Sequence, residues 1–172
     1  RQDPYSRVAI ETFGGHGLLV IGGEVTTKAD VDYELIGEKV YRDVGYSDKL
    51  KVMTNVVEQS PDISMGVDKG GAGDQGIMYG YATDDTSDLL PFGYGIVNEL
   101  TKGLQDLREK GILKWLRPDG KAQVTIDKGK ITTILVSTQH TADISYEDLK
   151  KDLIDHLLEP ILKKHGIDIK GI

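Results

Sequence analysis

Six residues near the middle of the chain, Gly71-Ala72-Gly73-Asp74-Gln75-Gly76, fit the spacing G-x-G-x-x-G. Glycines at that spacing let a backbone approach a dinucleotide pyrophosphate, provided a strand precedes them and a helix follows. Neither condition holds here. Gln59 to Gly70 contains Pro61 and further glycines and reads as a loop. Ile77 to Thr83 alternates aromatic and small residues around Gly80 and reads as a strand. The stretch is therefore a surface loop or a loop closing on a polar ligand, with Asp74 as its one carboxylate. A second candidate is Pro118-Asp119-Gly120-Lys121. Fixed φ, a carboxylate that bonds local backbone and a permissive glycine predict a turn that presents Lys121. Glu11 and Glu24 are carboxylates on apolar strand patterns, where charges are unusual. Either they face water, or one or both ligate a cation or a substrate amine.

Other polar residues carry less. His16 lies in a glycine turn, and His156 near the apolar face of a helix, where a core-edge histidine is the simpler reading. Asp84-Asp85-Thr86-Ser87-Asp88 is an acidic turn without further metal-ligand spacing.

The elements that must hold these residues follow from periodicity. Arg7–Phe13 and the run from Leu18 make a hairpin around Gly14–Gly17. Ala29–Val44 has apolar residues at helical spacing and a stop at Gly45. Lys51–Val57 is a strand. Ile96, Leu100, Leu104 and Leu107 mark one face of a helix that ends at Gly111. Ala122–Asp127 and Lys130–Thr138 flank Lys128-Gly129 as a second hairpin. Ser145-x-x-Asp148 resembles a capping box, and Pro160 ends or kinks the helix behind it. The result is an α+β fold of repeated small mixed β-sheets, each covered by helices on one face. We expect two domains, 1–69 and 70–172, joined at the glycine-rich segment.

With 172 residues, the chain can bury a sizeable core. It has no cysteine, so disulfides and thiolate metal sites are excluded. A formal charge of −7 argues against nucleic-acid binding, though not against one localised phosphate site. No apolar run has the length of a membrane span, and Arg1-Gln2-Asp3-Pro4 lacks the chemistry of a signal peptide. A cytoplasmic protein is the expectation.

Taken in order, several stretches together resemble the S-adenosylmethionine synthetase (methionine adenosyltransferase) family of the bacterial and eukaryotic type. They are Gln2-Asp3-Pro4 with Arg7-Val8-Ala9, Glu11-Thr12, Gly22–Thr27, Gln59–Ile63, Gly66–Asp68, Gly71–Thr83, Trp115–Lys121, Gln123–Thr125 and Val136–His140. The resemblance implies a fold with pseudo-threefold repeats in the full protein, of which this chain covers the N-terminal and central domains. It begins after the family's HPDK segment and stops before the C-terminal region. The family's catalytic histidine and a magnesium aspartate therefore lie outside it.

The resemblance also implies chemistry and roles. ATP and L-methionine are the substrates, Mg2+ and K+ the ions, and a homodimer, or a homotetramer built from it, the assembly. Lys121 would be the catalytic phosphate-holding residue. Asp119, Gly120, Lys121 and Asp74 would bind ATP, and Glu24 and Gln59 methionine. Glu11 would ligate potassium. Gln59, Ser60, Pro61, Asp62 and Ile63 would form the base of a gating loop. The alternative is a non-catalytic member or regulatory subunit that pairs with a full-length partner.

Overall fold

The computed structural model describes residues 2–172 and divides into two compact units, the first ending at Met78 and the second beginning at Tyr79.

The first unit is a three-stranded sheet with a helix on one face. Strands β1 (Arg7–Gly15) and β2 (Leu18–Thr26) pair antiparallel. His16 and Gly17, at φ 49° and 78°, form the two-residue turn between them. Positive φ at both positions gives the turn the twist that a hairpin needs. The chain then crosses through helix α1 (Tyr33–Val44) to β3 (Lys51–Glu58), which pairs parallel to β2. The helix starts later than its apolar pattern suggests, because Asp32 caps it by accepting the Leu35 N–H at 2.9 Å. Gly45 ends it at φ 112°, as expected of a left-handed cap. Asp3 fastens the chain before β1. Its carboxylate accepts the Lys28 and Tyr5 N–H groups, which hold its pKa below the ordinary value.

Two expectations for the central segment fail. Gln59–Gly70 is not all loop, since Pro61–Val67 forms a short helix, α2. Ser60 caps it through the Asp62 N–H, and Pro61 occupies the first turn, where its missing N–H costs nothing. Ile77–Thr83 forms no strand and pairs with none among the described residues. Its alternation has the strand pattern without the ladder.

The second unit packs helices on a long hairpin. Helix α3 (Phe92–Glu109) lies over β4 (Leu116–Asp127), which pairs antiparallel with β5 (Lys130–His140). Lys128 and Gly129, at φ 48° and 78°, repeat the turn chemistry of the first hairpin. Ile96, Leu100, Leu104 and Leu107 are all buried, as their spacing predicts. Trp115 closes the core and donates its indole N–H to Asp152 at 2.8 Å.

Helix α4 (Tyr146–Leu153) opens with Ser145 accepting the Asp148 N–H at 3.1 Å, while the serine hydroxyl donates to the Asp148 carboxylate. The helix does not stop at Pro160. A widened π turn, Ile154–Leu158, precedes α5 (Glu159–Lys164), and the rod continues. Leu157 is buried, one ordinary turn beyond Leu153, and the next buried leucine, Leu162, follows after a five-residue step; His156 is exposed, not at the core edge. No helix among the described residues is long and apolar enough to cross a membrane.

Candidate functional site

In the first unit the position of α1 tells the two sheet faces apart. A Cβ built on Gly37 would lie within 3 Å of the Ile21 and Leu19 side chains, so the helix rests closely on that side. Strand alternation then sends Leu19, Ile21 and Val25 towards α1 and Glu24 and Thr26 away from it. Register carries the division across the sheet. Arg7 is opposite Thr26, Ala9 opposite Glu24, and Glu11 opposite Gly22. Glu11 and Glu24 thus share the face turned away from α1, as diagonal neighbours roughly 7–8 Å apart.

Gln59, just past β3, reaches the same face. Its Oε1 accepts from Arg7 Nε at 3.4 Å and from Thr26 Oγ1 at 3.5 Å. Among the described residues no hydrogen bond engages its amide N–H2, a group that can donate to a ligand. Its backbone N–H donates to Val25 O at 3.2 Å, which fixes the turn out of β3. Arg7 also forms an ion pair with Asp68 at 2.8 Å, tying the segment after α2 to the start of β1. Arg7 and Thr26 are the positioning residues that the sequence reading passed over. Their signal was parity: both precede or follow a carboxylate on the same strand by an even number of residues.

The predicted gate residues divide between two elements. Gln59 continues β3, whereas Ser60, Pro61, Asp62 and Ile63 are the cap and first turn of α2. Asp74 is exposed, and its Oδ1 accepts the Gln75 N–H at 2.7 Å.

In the second unit Pro118-Asp119-Gly120 is not the predicted turn. It lies within β4, where the register slips from Leu116 opposite His140 to Gly120 opposite Thr138. Two extra residues in β4 make a bulge, which accommodates a proline that cannot donate to a ladder. Thr138 Oγ1 donates to Asp119 O at 3.3 Å and pins the bulge. Gly120 has a packing reason, since a Cβ there would come within 2.8 Å of Leu104 in α3. Gly120, Ala122 and Val124 face the core, and Lys121, on the opposite parity, points away. Asp119 and Lys121 are both exposed. The expected presentation of Lys121 is therefore met by a bulged strand in place of a turn.

Comparison with known families decides what these faces belong to. The N-terminal domain of S-adenosylmethionine synthetase matches residues 1–62, and the central domain of the same family matches residues 69–171. The chain belongs to the S-adenosylmethionine synthetase family. The α+β arrangement of small sheets and helices is consistent with that domain fold, and the two domains indicate S-adenosylmethionine synthetase-type function.

The family resemblance implies Mg2+ and K+. No three His, Asp or Glu side chains among the described residues converge on one point. Glu11 and Glu24 stand diagonally, and no third His, Asp or Glu among the described residues joins them. These carboxylates alone do not complete a site for Mg2+ or K+.

Proposed function

We propose that this chain serves S-adenosylmethionine synthesis from L-methionine and ATP. The thioether sulfur attacks C5′ of ATP. A carbon–sulfur bond forms, the carbon–oxygen bond to the triphosphate breaks, and the triphosphate leaves with the electron pair. Water then divides it into phosphate and pyrophosphate. The neutral sulfur needs no general base. The obstacle is charge developing on the leaving group, which positioning and fixed positive charge address.

The observation that carries this reading is the shared face of Glu24 and Gln59. A carboxylate that accepts and an amide N–H2 that donates suit the ammonium and carboxylate of an amino acid. Arg7 and Thr26 hold the amide in the donating orientation. On β4, Lys121 would hold phosphate oxygens as a point charge, beside Gly120. Asp119 would accept hydrogen bonds from the nucleoside part of ATP, and Asp74 would line the nucleotide. Glu11 would supply one ligand to potassium. The start of α2 would act as the base of a gate that excludes water from the leaving group. The active assembly would be a homodimer, which sedimentation of the active protein tests. A fully active monomer would refute it.

The assay supplies methionine, ATP, magnesium and potassium to the full gene product and follows S-adenosylmethionine, phosphate and pyrophosphate. Lys121→Ala should lower turnover by on the order of 10²–10³ with the fold intact. Absence of product from the unmodified protein defeats the proposal. It would leave the non-catalytic partner reading, which predicts activity only when a full-length family member is added.

A further inference from the structure

Helix α2 gains little from burial, since none of its residues is buried. Both of its ends are nonetheless closed. Ser60 caps the start. Past the last turn Gly70, at φ 84°, donates its N–H to Val67 O, and Gly71 donates to Gly66 O, each at 3.0 Å. The segment is thus a self-contained turn of helix with one polar tether. Arg7 Nη1 meets Asp68 Oδ1 at 2.8 Å. Among the described residues, no other ion pair or side-chain hydrogen bond links 61–71 to the sheet.

The guanidinium that holds Asp68 also orients Gln59. Its Nε donates to Gln59 Oε1 at 3.4 Å, a long contact that a small rotation would break. Thr26 Oγ1, at 3.5 Å, is too far to fix the amide alone. A guanidinium is a rigid plane, so Nη1 cannot follow Asp68 without carrying Nε along. We propose that Asp68 is a positioning residue for the amino-acid substrate. Through Arg7 it fixes the Gln59 amide, so the docking of α2 and the binding of methionine favour each other. This inference rests on the reading of Glu24 and Gln59 as the methionine site.

The size of the coupling follows from exposure. The Arg7 and Asp68 side chains are 35% and 55% exposed, and such a pair contributes little to stability. Its effect lies in geometry. Coupling between two events is also reciprocal: whatever factor Asp68 gives to methionine binding, methionine gives to the docking of α2.

Two measurements on the full gene product test this. In steady-state kinetics Asp68→Asn should raise KM for methionine about two- to five-fold, the range an exposed pair supports, and leave KM for ATP unchanged. Arg7→Lys keeps a charge for Asp68 but loses the second, rigid N–H. It should raise KM for methionine by itself and abolish the further effect of Asp68→Asn. In amide hydrogen exchange, methionine should slow the hydrogen-bonded amides of Ser64 and Asp68 in the unmodified protein by a similar factor. In Asp68→Asn, methionine should leave the Ser64 amide unchanged. An active protein in which Asp68→Asn leaves KM for methionine unchanged overturns the inference while the methionine site stands. So does an Asp68→Asn effect that persists at full size beside Arg7→Lys, or that raises both KM values equally. An unmodified protein that makes no S-adenosylmethionine defeats the reading of the site itself, and this inference with it.

Discussion

The two units solve the same construction problem to different degrees. Of the eleven buried apolar side chains among the described residues, ten lie in the second unit, and only Ile21 lies in the first. The second unit places α3, α4 and α5 against one hairpin and fills the space between them. The first has a wider sheet but one supporting helix. On the α1 side a groove of about 530 Å3 remains, lined by Val8, Ile10, Leu35 and Ile36 among others. On the other side Phe13, Met53 and Val57 are exposed at 72%, 49% and 52% beside Glu11 and Glu24. Scattered apolar exposure is ordinary, but a sheet face that mixes it with two carboxylates and an oriented amide suits a ligand or a partner. The face proposed to bind methionine belongs to the unit that its own packing fills least. The proposed homodimer would give such a face a cover.

The largest effect that separates the units is cavity formation. Leu100 is fully buried on α3, and Leu100→Ala should cost ~2–5 kcal/mol in urea unfolding. Ile21→Ala should fall at the low end, ~2 kcal/mol, because little packs around Ile21 beyond α1 and its strand neighbours. Equal losses would break the comparison.

Backbone constraint reverses the ranking. Gly23 in β2 has φ 136°, and a Cβ there would lie 2.1 Å from the Ala9 carbonyl oxygen. Gly23→Ala should destabilise the first unit by ~1–3 kcal/mol and displace Glu24 next to it. Circular dichroism with urea reads the stability, and the assay reads the displacement as a higher KM for methionine. Gly129→Ala, also at positive φ but with open space around it, should cost less. A Gly23→Ala protein with unchanged stability would show that the β1–β2 spacing yields freely.

Much of this was legible in the sequence where one local rule dominates. The glycine turns at Gly17 and Gly129 announce their hairpins, and the spacing of Ile96, Leu100, Leu104 and Leu107 announces the core. Rules failed where two competed. Around Ser60-Pro61 the serine cap and proline signal a helix start, but glycines 66, 70 and 71 weigh towards loop. At Pro118-Asp119-Gly120 the turn chemistry is real, yet long pairing with β5 absorbs it as a bulge. The site was legible only in part. Strand parity brings Glu11 and Glu24 to one face, but a pairing register is needed to show it. The contribution of Arg7 depends on a contact 52 residues away.

The smallest predicted effect concerns the surface of the better-packed unit. Glu99 on α3 accepts from Lys164 Nζ at 2.9 Å and from His165 Nε2 at 3.0 Å, joining α3 to the end of α5. The bond from Lys164, followed by that from His165, holds its carboxyl below the ordinary value of 4.5. Since the folded pKa is the lower one, the unfolded chain binds more protons between the two values, and stability rises with pH there. The contribution is complete above the unfolded pKa and is lost as pH falls through the folded one. With a third of its side chain exposed, Glu99 is screened, so Glu99→Gln should cost under ~1 kcal/mol at neutral pH. The difference from the unmodified protein should shrink as the pH falls below 4.5, and high salt should reduce it as well. Urea midpoints at several pH values measure it. A loss approaching that of Leu100→Ala would mean that this unit is held by its polar clamp as much as by its apolar core.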